Sequence, residues 1–210
     1  MKKNCTEVVF VLDRSGSMCG LEKDTIGGFN SLINKQKKQD GEVLVSTVLF
    51  NDSSVVIHDR KPIDKVRLMT NKDYEVYGCT ALLDALGSSI RHIGNIYKYA
   101  RIEDVPEHTM FVIITDGMEN ASRYYSKERV KSMIEYEKEK YGWEFLFLAA
   151  NMDALDTASQ YGIDKDHAVN YQCDSVGTRL NYEVLDEAIQ CICSGVPLPK
   201  SWKSKIEKRK

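Results

Sequence analysis

The sequence predicts an α/β fold with three layers, in which helices cover both faces of a mostly parallel central sheet of the doubly wound, Rossmann-like kind. Short apolar runs rich in β-branched and aromatic residues alternate with longer segments of helical periodicity. The runs at 8–12 and 110–114 contain only apolar residues, which is typical of strands buried on both faces. A turn at 51–54 between two apolar runs predicts a hairpin, and therefore one antiparallel strand at the sheet edge.

The composition fits one α/β domain with a substantial core. Of the 210 residues, 42% are hydrophobic and 29% are charged, and the formal net charge of -2 gives no general attraction to nucleic acid or membranes. No apolar stretch approaches the roughly 20 residues that a membrane span requires. The first apolar run ends at Asp13, too soon for a signal peptide. We therefore expect a cytoplasmic monomer with no nucleic-acid or membrane partner.

The first half of the chain predicts a strand, a helix and a hairpin. The first strand ends at Asp13. The helix that follows has apolar residues near helical spacing over 21–33 and lysines at its far end, where the helix dipole favours cations. Gly41 ends this helix, and the two strands of the hairpin follow over 43–50 and 55–58.

The second half continues the alternation of helices and strands. Residues 62–77 are irregular and polar, which predicts a loop with a short helix. Ser126 is a predicted helix N-cap, because Glu128 follows it in the first turn. The other predicted elements are a long amphipathic helix over 81–96, strands over 110–115 and 143–150, helices over 126–140 and 151–161, an edge strand over 168–171 and a closing helix over 176–193.

We expect one domain over residues 1–195 and a basic C-terminal tail over 196–210. A basic patch for an acidic partner is one interpretation of the tail. Because chain ends concentrate disorder, we favour a flexible, solvated terminus. The basic residues concerned are Lys200, Lys203, Lys205, Lys208, Arg209 and Lys210.

Oxygen-bearing side chains gather at three predicted loops. Asp13, Ser15 and Ser17 follow the first strand, Thr80 precedes the long helix, and Asp116 follows the third central strand. Ligands of an open parallel sheet bind beyond the carboxyl ends of its strands, so one fold can bring all five residues to the same rim. Carboxylates and hydroxyls without a nitrogen or sulfur ligand suit a hard cation such as Mg²⁺.

This set resembles the metal-ion-dependent adhesion site (MIDAS) of von Willebrand factor A (vWA) domains, the family that includes integrin I domains. Three motifs carry the resemblance, in the order in which the family has them. They are Asp13-x-Ser15-x-Ser17, Thr80 within Gly-Cys-Thr-Ala-Leu, and Asp116 within Ile-Thr-Asp-Gly. One such motif is weak evidence, because Ser and Asp are common in turns, but the three together are specific.

The resemblance extends over residues 5–195 and is strongest to short, stand-alone bacterial and phage members, which have segments similar to 115–120 and 148–153. It implies the vWA fold and a division of labour at the site. The three hydroxyls contact the cation directly or nearly so, and the two carboxylates act largely through bound waters. Mg²⁺ is the implied cation, with Mn²⁺ or Ca²⁺ as alternatives. Octahedral Mg²⁺ commonly keeps waters, so one position stays open. Because neutral hydroxyls leave the charge of the cation uncancelled, this position attracts an Asp or Glu of a partner protein.

Three further residues are candidates for a supporting role. Asp84 lies four residues after Thr80, so both can share one helix face, and its carboxylate is a candidate to bond the metal loops. An ordinary helix carboxylate is the alternative. Asn151 and Asp153 follow a predicted strand end on the same rim, where they are candidates to orient a water.

The six cysteines form no Cys-x-x-Cys pair and have no zinc-finger spacing. We expect reduced thiols, several of them in the core. Cys19 and Cys79 lie beside predicted site residues, and a redox role for them is the weaker alternative.

The constellation predicts a metal-dependent protein-binding module rather than an enzyme, because no nucleophile–base pair accompanies it. An Mg²⁺-dependent phosphohydrolase is the first alternative, since haloacid-dehalogenase-like enzymes also begin with an apolar strand that ends in Asp. Those enzymes need a second Asp two residues later as the general acid, where this chain has Ser15. A Gly-x-x-x-x-Gly-Lys-Ser/Thr phosphate loop is also absent from the sequence. The second alternative, a scaffold with a non-functional metal site, would be favoured by an altered ligand, and none of the five is altered.

Overall fold

The computed structural model has a six-stranded sheet as its middle layer. The structure describes residues 1–209, and Lys210, the last residue of the expected tail, lies outside the described residues. The strands are β1 (Lys2–Asp13), β2 (Glu42–Phe50), β3 (Ser54–Pro62), β4 (Pro106–Thr115), β5 (Glu144–Ala149) and β6 (Ala168–Asn170). They lie side by side in the order β3-β2-β1-β4-β5-β6. Neighbours pair in parallel except β3, which pairs antiparallel with β2 at the edge. The predicted fold class is confirmed.

Helices cover both faces of this sheet, and they are α1 (Glu22–Gln36), α2 (Leu82–Tyr99), α3 (Lys127–Tyr141), α4 (Ala154–Gln160), α5 (Ser175–Cys193) and α6 (Ser204–Glu207). In β1, Val8, Phe10 and Leu12 belong to the core shared with α1 and α5. Val9 and Val11 belong to the opposite core, shared with α2, α3 and α4. This alternation explains why a strand covered on both faces has only apolar residues there. None of the helices within residues 1–209 is long and apolar enough to cross a membrane.

Local sequence signals account for several boundaries. The Ser126 side chain caps α3 by accepting a hydrogen bond from the Arg129 N–H at 3.3 Å, as predicted. The helix ends before Gly142, which has a left-handed φ of 65°. The predicted loop over 62–77 contains a single short 3₁₀ turn, Ile63–Lys65.

The chain order creates a topological switch point between β1 and β4. From β1 the chain passes through α1 to β2 on one side, and from β3 it crosses through α2 to β4 on the other. Leu12 pairs with Ile114, so the two strands end side by side at the same rim. Doubly wound folds place their ligand crevice at such a point.

The expected flexible tail is not what the structure shows. Trp202 and Ile206 are buried in the core cluster that includes α5. Lys203, one of the tail's basic residues, is itself buried and donates to two backbone carbonyls. Arg209 donates two hydrogen bonds of 2.7 Å to Asp174, the N-cap residue of α5. The two apolar side chains anchor this segment, because their burial removes apolar surface from water.

Candidate metal site

The first loop of the site begins where β1 ends. The Asp13 carboxylate accepts a 2.7 Å hydrogen bond from the Ser15 N–H, the local turn that Asp favours. The next N–H, that of Gly16, donates to the Gly78 carbonyl at 3.0 Å. A Cβ on Gly16 would lie 3.3 Å from that oxygen, so the small residue permits this close approach. The Asp13 loop is thereby joined to the loop that carries Thr80.

The second loop is joined to the third by two hydrogen bonds between the same pair of residues. The Thr80 N–H donates to Asn120 Oδ1 at 2.9 Å, and the Asn120 N–H donates to the Thr80 carbonyl at 3.0 Å. Asn120 lies four residues after Asp116 on the loop that follows β4. All three loops are therefore connected through backbone groups, which fixes where their side chains stand.

The three hydroxyls meet beside Gly117. A Cβ built on this glycine would lie 2.8 Å from Thr80 Oγ1, 3.1 Å from Ser17 Oγ and 3.7 Å from Ser15 Oγ. The two serine hydroxyls are 3.0 Å apart, and that of Ser17 donates to Asp116 Oδ1 at 2.5 Å. Three hydroxyl oxygens and a carboxylate thus surround one small region of the rim.

The fifth residue of the cluster is Asp13, the last residue of β1. Its carboxylate accepts the hydrogen bond from the Ser15 backbone N–H. The Thr115 hydroxyl, at the end of β4, donates to Asp13 Oδ2 at 2.6 Å. Burial raises the pKa of Asp13, while the hydrogen bonds from Thr115 and Ser15 oppose that rise. The structure therefore brings all five sequence-predicted residues together.

The site opens to solvent on one side. Asp13, Ser15, Thr80 and Asp116 are each at most 3% exposed, whereas Ser17 is exposed. Four of the five clustered residues are thus buried, and Ser17 is the one at the surface.

The three candidates for a supporting role have different positions. Asn151, whose φ of 57° is left-handed, donates from its side chain to the Asp116 carbonyl at 3.2 Å. Asp84 instead accepts hydrogen bonds of 2.7–2.9 Å from the backbone N–H groups of residues 123–125, so it anchors the loop that follows β4. Asp153 is the N-cap of α4 and accepts from a backbone N–H there. Asn151 alone of the three contacts a predicted ligand residue within the part of the chain that the structure describes.

Sequence reasoning missed three neighbours of the site. Thr115 is the last residue of an apolar strand, so the sequence pattern does not mark it as a site residue. Its position beside Asp13 follows from the pairing of β1 with β4. The Cys173 thiol donates to Asp116 Oδ2 at 3.3 Å, and burial raises its pKa to about 11, so it remains protonated at neutral pH. The Tyr74 hydroxyl donates to the Asp13 carbonyl. Cys173 and Tyr74 approach from distant parts of the chain, and no local pattern marks them.

The donor set differs from the usual transition-metal cluster. Among residues 1–209, no group of three or more His, Cys, Asp or Glu side chains could hold a metal ion. The candidate site has only two carboxylates, and hydroxyls supply its other oxygens. All six cysteines are free thiols. An oxygen-only set of this kind suits a hard divalent cation.

The chain has the fold of von Willebrand factor A domains. It aligns with the vWF domain of the type V pili tip protein Mfa5 from Porphyromonas gingivalis with a TM-score of 0.65 and 10% identity, over 90% of this chain and 96% of that one. It aligns with a von Willebrand factor type A protein from Catenulispora acidiphila with a TM-score of 0.58 and 12% identity, over 87% of this chain and 42% of that one.

A third solved structure is similar in fold and was determined with a metal. It is proximal thread matrix protein 1 from the mussel byssus, with a zinc-occupied MIDAS motif. The TM-score is 0.58 at 16% identity, over 90% of this chain and 46% of that one. The chain thus spans less than half the length of the Catenulispora and mussel proteins. No protein-family model matches the sequence, and no curated protein matches it by sequence similarity.

Proposed function

We propose that this protein is a metal-ion-dependent protein-binding module. The observation that carries the proposal is the convergence of three hydroxyls and two carboxylates beside Gly117, at the switch point of the sheet. The zinc-occupied MIDAS of the structurally similar mussel protein supports a divalent cation at the equivalent place in this fold.

The donor chemistry favours Mg²⁺, with Mn²⁺ or Ca²⁺ as alternatives. Ser15, Ser17 and Thr80 would hold the cation through neutral hydroxyls, and Asp13 and Asp116 would hold it directly or through waters. When bound, the cation supplies an uncancelled positive charge and an exchangeable coordination position. The hydrogen bonds from the Thr115 hydroxyl and the Ser15 N–H hold the Asp13 carboxylate in position at the site.

The proposed ligand is an Asp or Glu side chain of a partner protein, which would approach over the exposed Ser17. We propose binding without catalysis, because the sequence offers no nucleophile–base pair beside the five clustered residues. A phosphohydrolase of the kind considered from the sequence would need a carboxylate where Ser15 stands. We also propose that the protein is a monomer without a nucleic-acid or membrane partner, in keeping with its net charge of -2.

Calorimetric titration of Mg²⁺ into the wild type, Ser17→Ala and Ser132→Ala tests the metal site. Ser17 is exposed, so its truncation leaves the core intact; Ser132 is a matched exposed serine on α3. We expect saturable binding to the wild type and to Ser132→Ala, with affinity at least about tenfold lower for Ser17→Ala, as for other metal-supporting residues. Absence of Mg²⁺, Mn²⁺ and Ca²⁺ binding to the wild type would refute the proposal and leave a scaffold.

The same titration in the presence of acetate tests the open position. If a carboxylate completes the coordination, acetate will increase the affinity of the wild type for Mg²⁺ by thermodynamic linkage. An unchanged affinity at saturating acetate would contradict the recruitment of an external carboxylate.

A further inference from the structure

A groove of about 780 Å³ runs beside the candidate metal site. It lies between the N-terminal half of α2, the loop over 121–125, the start of α3 and the β2–β3 turn. Three exposed arginines line it: Arg91 from α2, Arg123 from the loop and Arg129 from α3. We call this surface the arginine groove.

The three arginines are not neutralised by neighbouring carboxylates. Within residues 1–209, the arginines that form ion pairs are different ones. Two carboxylates also line the groove, and both are hydrogen bonded to backbone groups rather than to an arginine: Asp84 accepts from residues 123–125, and Asp52 Oδ1 accepts from the Cys79 N–H at 3.1 Å. The groove therefore carries three arginines against two carboxylates, and none of the three guanidinium groups forms an ion pair within the described residues.

Part of this surface is held in place by aromatic packing. The Arg129 guanidinium lies 4.9 Å from the centroid of the Tyr125 ring. That ring packs directly on Gly87 of α2, where a Cβ would come within 2.4 Å of it. Stacking orders Arg129 before any ligand binds, which reduces the entropy lost on binding.

The groove adjoins two of the loops that form the metal site. Ala81 lines it and is the residue after Thr80, whose hydroxyl belongs to the cluster at Gly117. Ala121 also lines it and follows Asn120, which is hydrogen bonded to Thr80. Two residues that line the groove are therefore direct chain neighbours of residues that position the metal site.

We propose that the arginine groove binds an acidic segment of the same protein partner whose carboxylate reaches the cation. This inference rests on the proposed function and adds to it a chemical identity for the partner: several Asp or Glu residues in sequence, rather than one. Guanidinium groups bind carboxylates through two parallel hydrogen bonds, a geometry that lysine lacks.

Fluorescence anisotropy with a labelled oligoglutamate peptide, with and without Mg²⁺, tests the proposal. The test variant is Arg91→Gln/Arg123→Gln, which leaves Arg129 packed on Tyr125. The matched control is Lys38→Gln/Lys98→Gln, which removes two exposed cations near the C-terminal ends of α1 and α2. We expect peptide affinity at least about tenfold lower for the arginine variant, as for two lost charge-assisted hydrogen bonds, and nearly unchanged for the control.

Calorimetry on the same variant separates this inference from the proposed function. The arginine variant should bind Mg²⁺ and acetate like the wild type, because the groove contributes no metal ligand. If Mg²⁺ fails to bind the wild type while peptide binding still depends on the arginines, the metal function is refuted and the groove is upheld. Equal peptide affinity of the arginine variant and the lysine control would overturn the groove proposal. Tighter arginine-dependent binding of a labelled oligothymidylate than of oligoglutamate would also overturn it.

Discussion

At the scale of single residues, Gly117 governs how closely the three hydroxyls can gather. Its φ is outside the left-handed region, so an alanine can adopt the same backbone. The space for a side chain is nevertheless taken, because a Cβ would come within 2.8 Å of Thr80 Oγ1 and 3.1 Å of Ser17 Oγ. The three atoms nearest to such a methyl group are thus the three hydroxyl oxygens of the candidate site.

We expect Gly117→Ala to lower Mg²⁺ affinity at least about tenfold while the protein stays folded. The methyl displaces hydroxyls at the ends of short side chains, and overpacking of this kind typically costs about 1–3 kcal/mol. Calorimetry measures the affinity, and circular dichroism with thermal melting measures the fold. Gly27→Ala is the control, since its Cβ would meet no atom within 4 Å. Unaltered Mg²⁺ binding by Gly117→Ala would contradict a cation held among these hydroxyls.

The sequence could predict the five clustered residues because each belongs to a loop at a strand end or helix start, and parallel strands share one rim. The sequence could not predict the hydrogen bonds that hold these five residues in position. Cys173, which donates to Asp116, lies 57 residues further along the sequence. Asn120 joins its own loop to the loop of Thr80 through two hydrogen bonds. Such contacts depend on the final packing, and the local pattern does not contain them.

At the scale of elements, periodic apolar segments were predicted well and polar strand ends were not. β1 begins at Lys2, six residues before the apolar run, because Lys2 pairs with Pro106 of β4 across an irregularity in the register. Asn4 has a left-handed φ of 54° within this polar extension. Residues 2–7 lack the alternation of apolar and polar residues that predicts a strand, so this extension could not be predicted from the sequence.

Two adjacent glycines of α1 differ in what surrounds them. At Gly28 a Cβ would lie 2.2 Å from Tyr182 of α5, whereas at Gly27 it would meet nothing within 4 Å. Gly28 thus lets α1 and α5 approach closely on the face that also holds Phe10 and Phe29. Gly27 is exposed and has no such role.

We expect Gly28→Ala to destabilise the protein by about 1–3 kcal/mol through overpacking against Tyr182. Gly27→Ala should stabilise it by up to about 1 kcal/mol, because alanine has the higher helix propensity. Urea denaturation of both variants measures these differences at the same helix and with the same chemical change. Equal effects in the two variants would mean that α1 and α5 are not in the close contact described.

At the scale of the whole molecule, long-range contacts determine the position of the C-terminal segment, which its composition did not predict. The basic residues of the C-terminal segment indicated a solvated tail, yet Trp202 and Ile206 are buried. The Trp202 indole donates to the Asp166 carbonyl at 2.8 Å, which fixes the segment beside β6. The alternation of strands and helices, by contrast, fixed the architecture, because each apolar run had to be covered on both faces.

A second long-range contact crosses the sheet. Glu7 of β1 is fully buried, and both of its oxygens accept from Arg60 Nε, at 2.9 and 3.0 Å, although β2 separates their strands. The Tyr97 hydroxyl of α2 also donates to Glu7, at 3.0 Å. Burial raises the pKa of Glu7, and the hydrogen bonds from Arg60 and Tyr97 oppose that rise.

Arg60→Gln removes the only cation hydrogen bonded to Glu7 among residues 1–209, so we expect it to destabilise the protein by about 3–5 kcal/mol at pH 7. Without the guanidinium, burial will raise the Glu7 pKa further above its ordinary value of 4.5. A raised carboxyl pKa means that the folded state holds a proton more tightly, so the penalty shrinks as pH falls towards 4.5 and is complete above the raised pKa. Urea denaturation of the wild type and of Arg60→Gln across this pH range measures the difference in the free energy of unfolding.

Glu7→Gln/Arg60→Gln is the control, since a neutral pair has no charge to bury and its stability should lack this pH dependence. A penalty for Arg60→Gln that stays constant with pH would show that Glu7 is not the group left uncompensated.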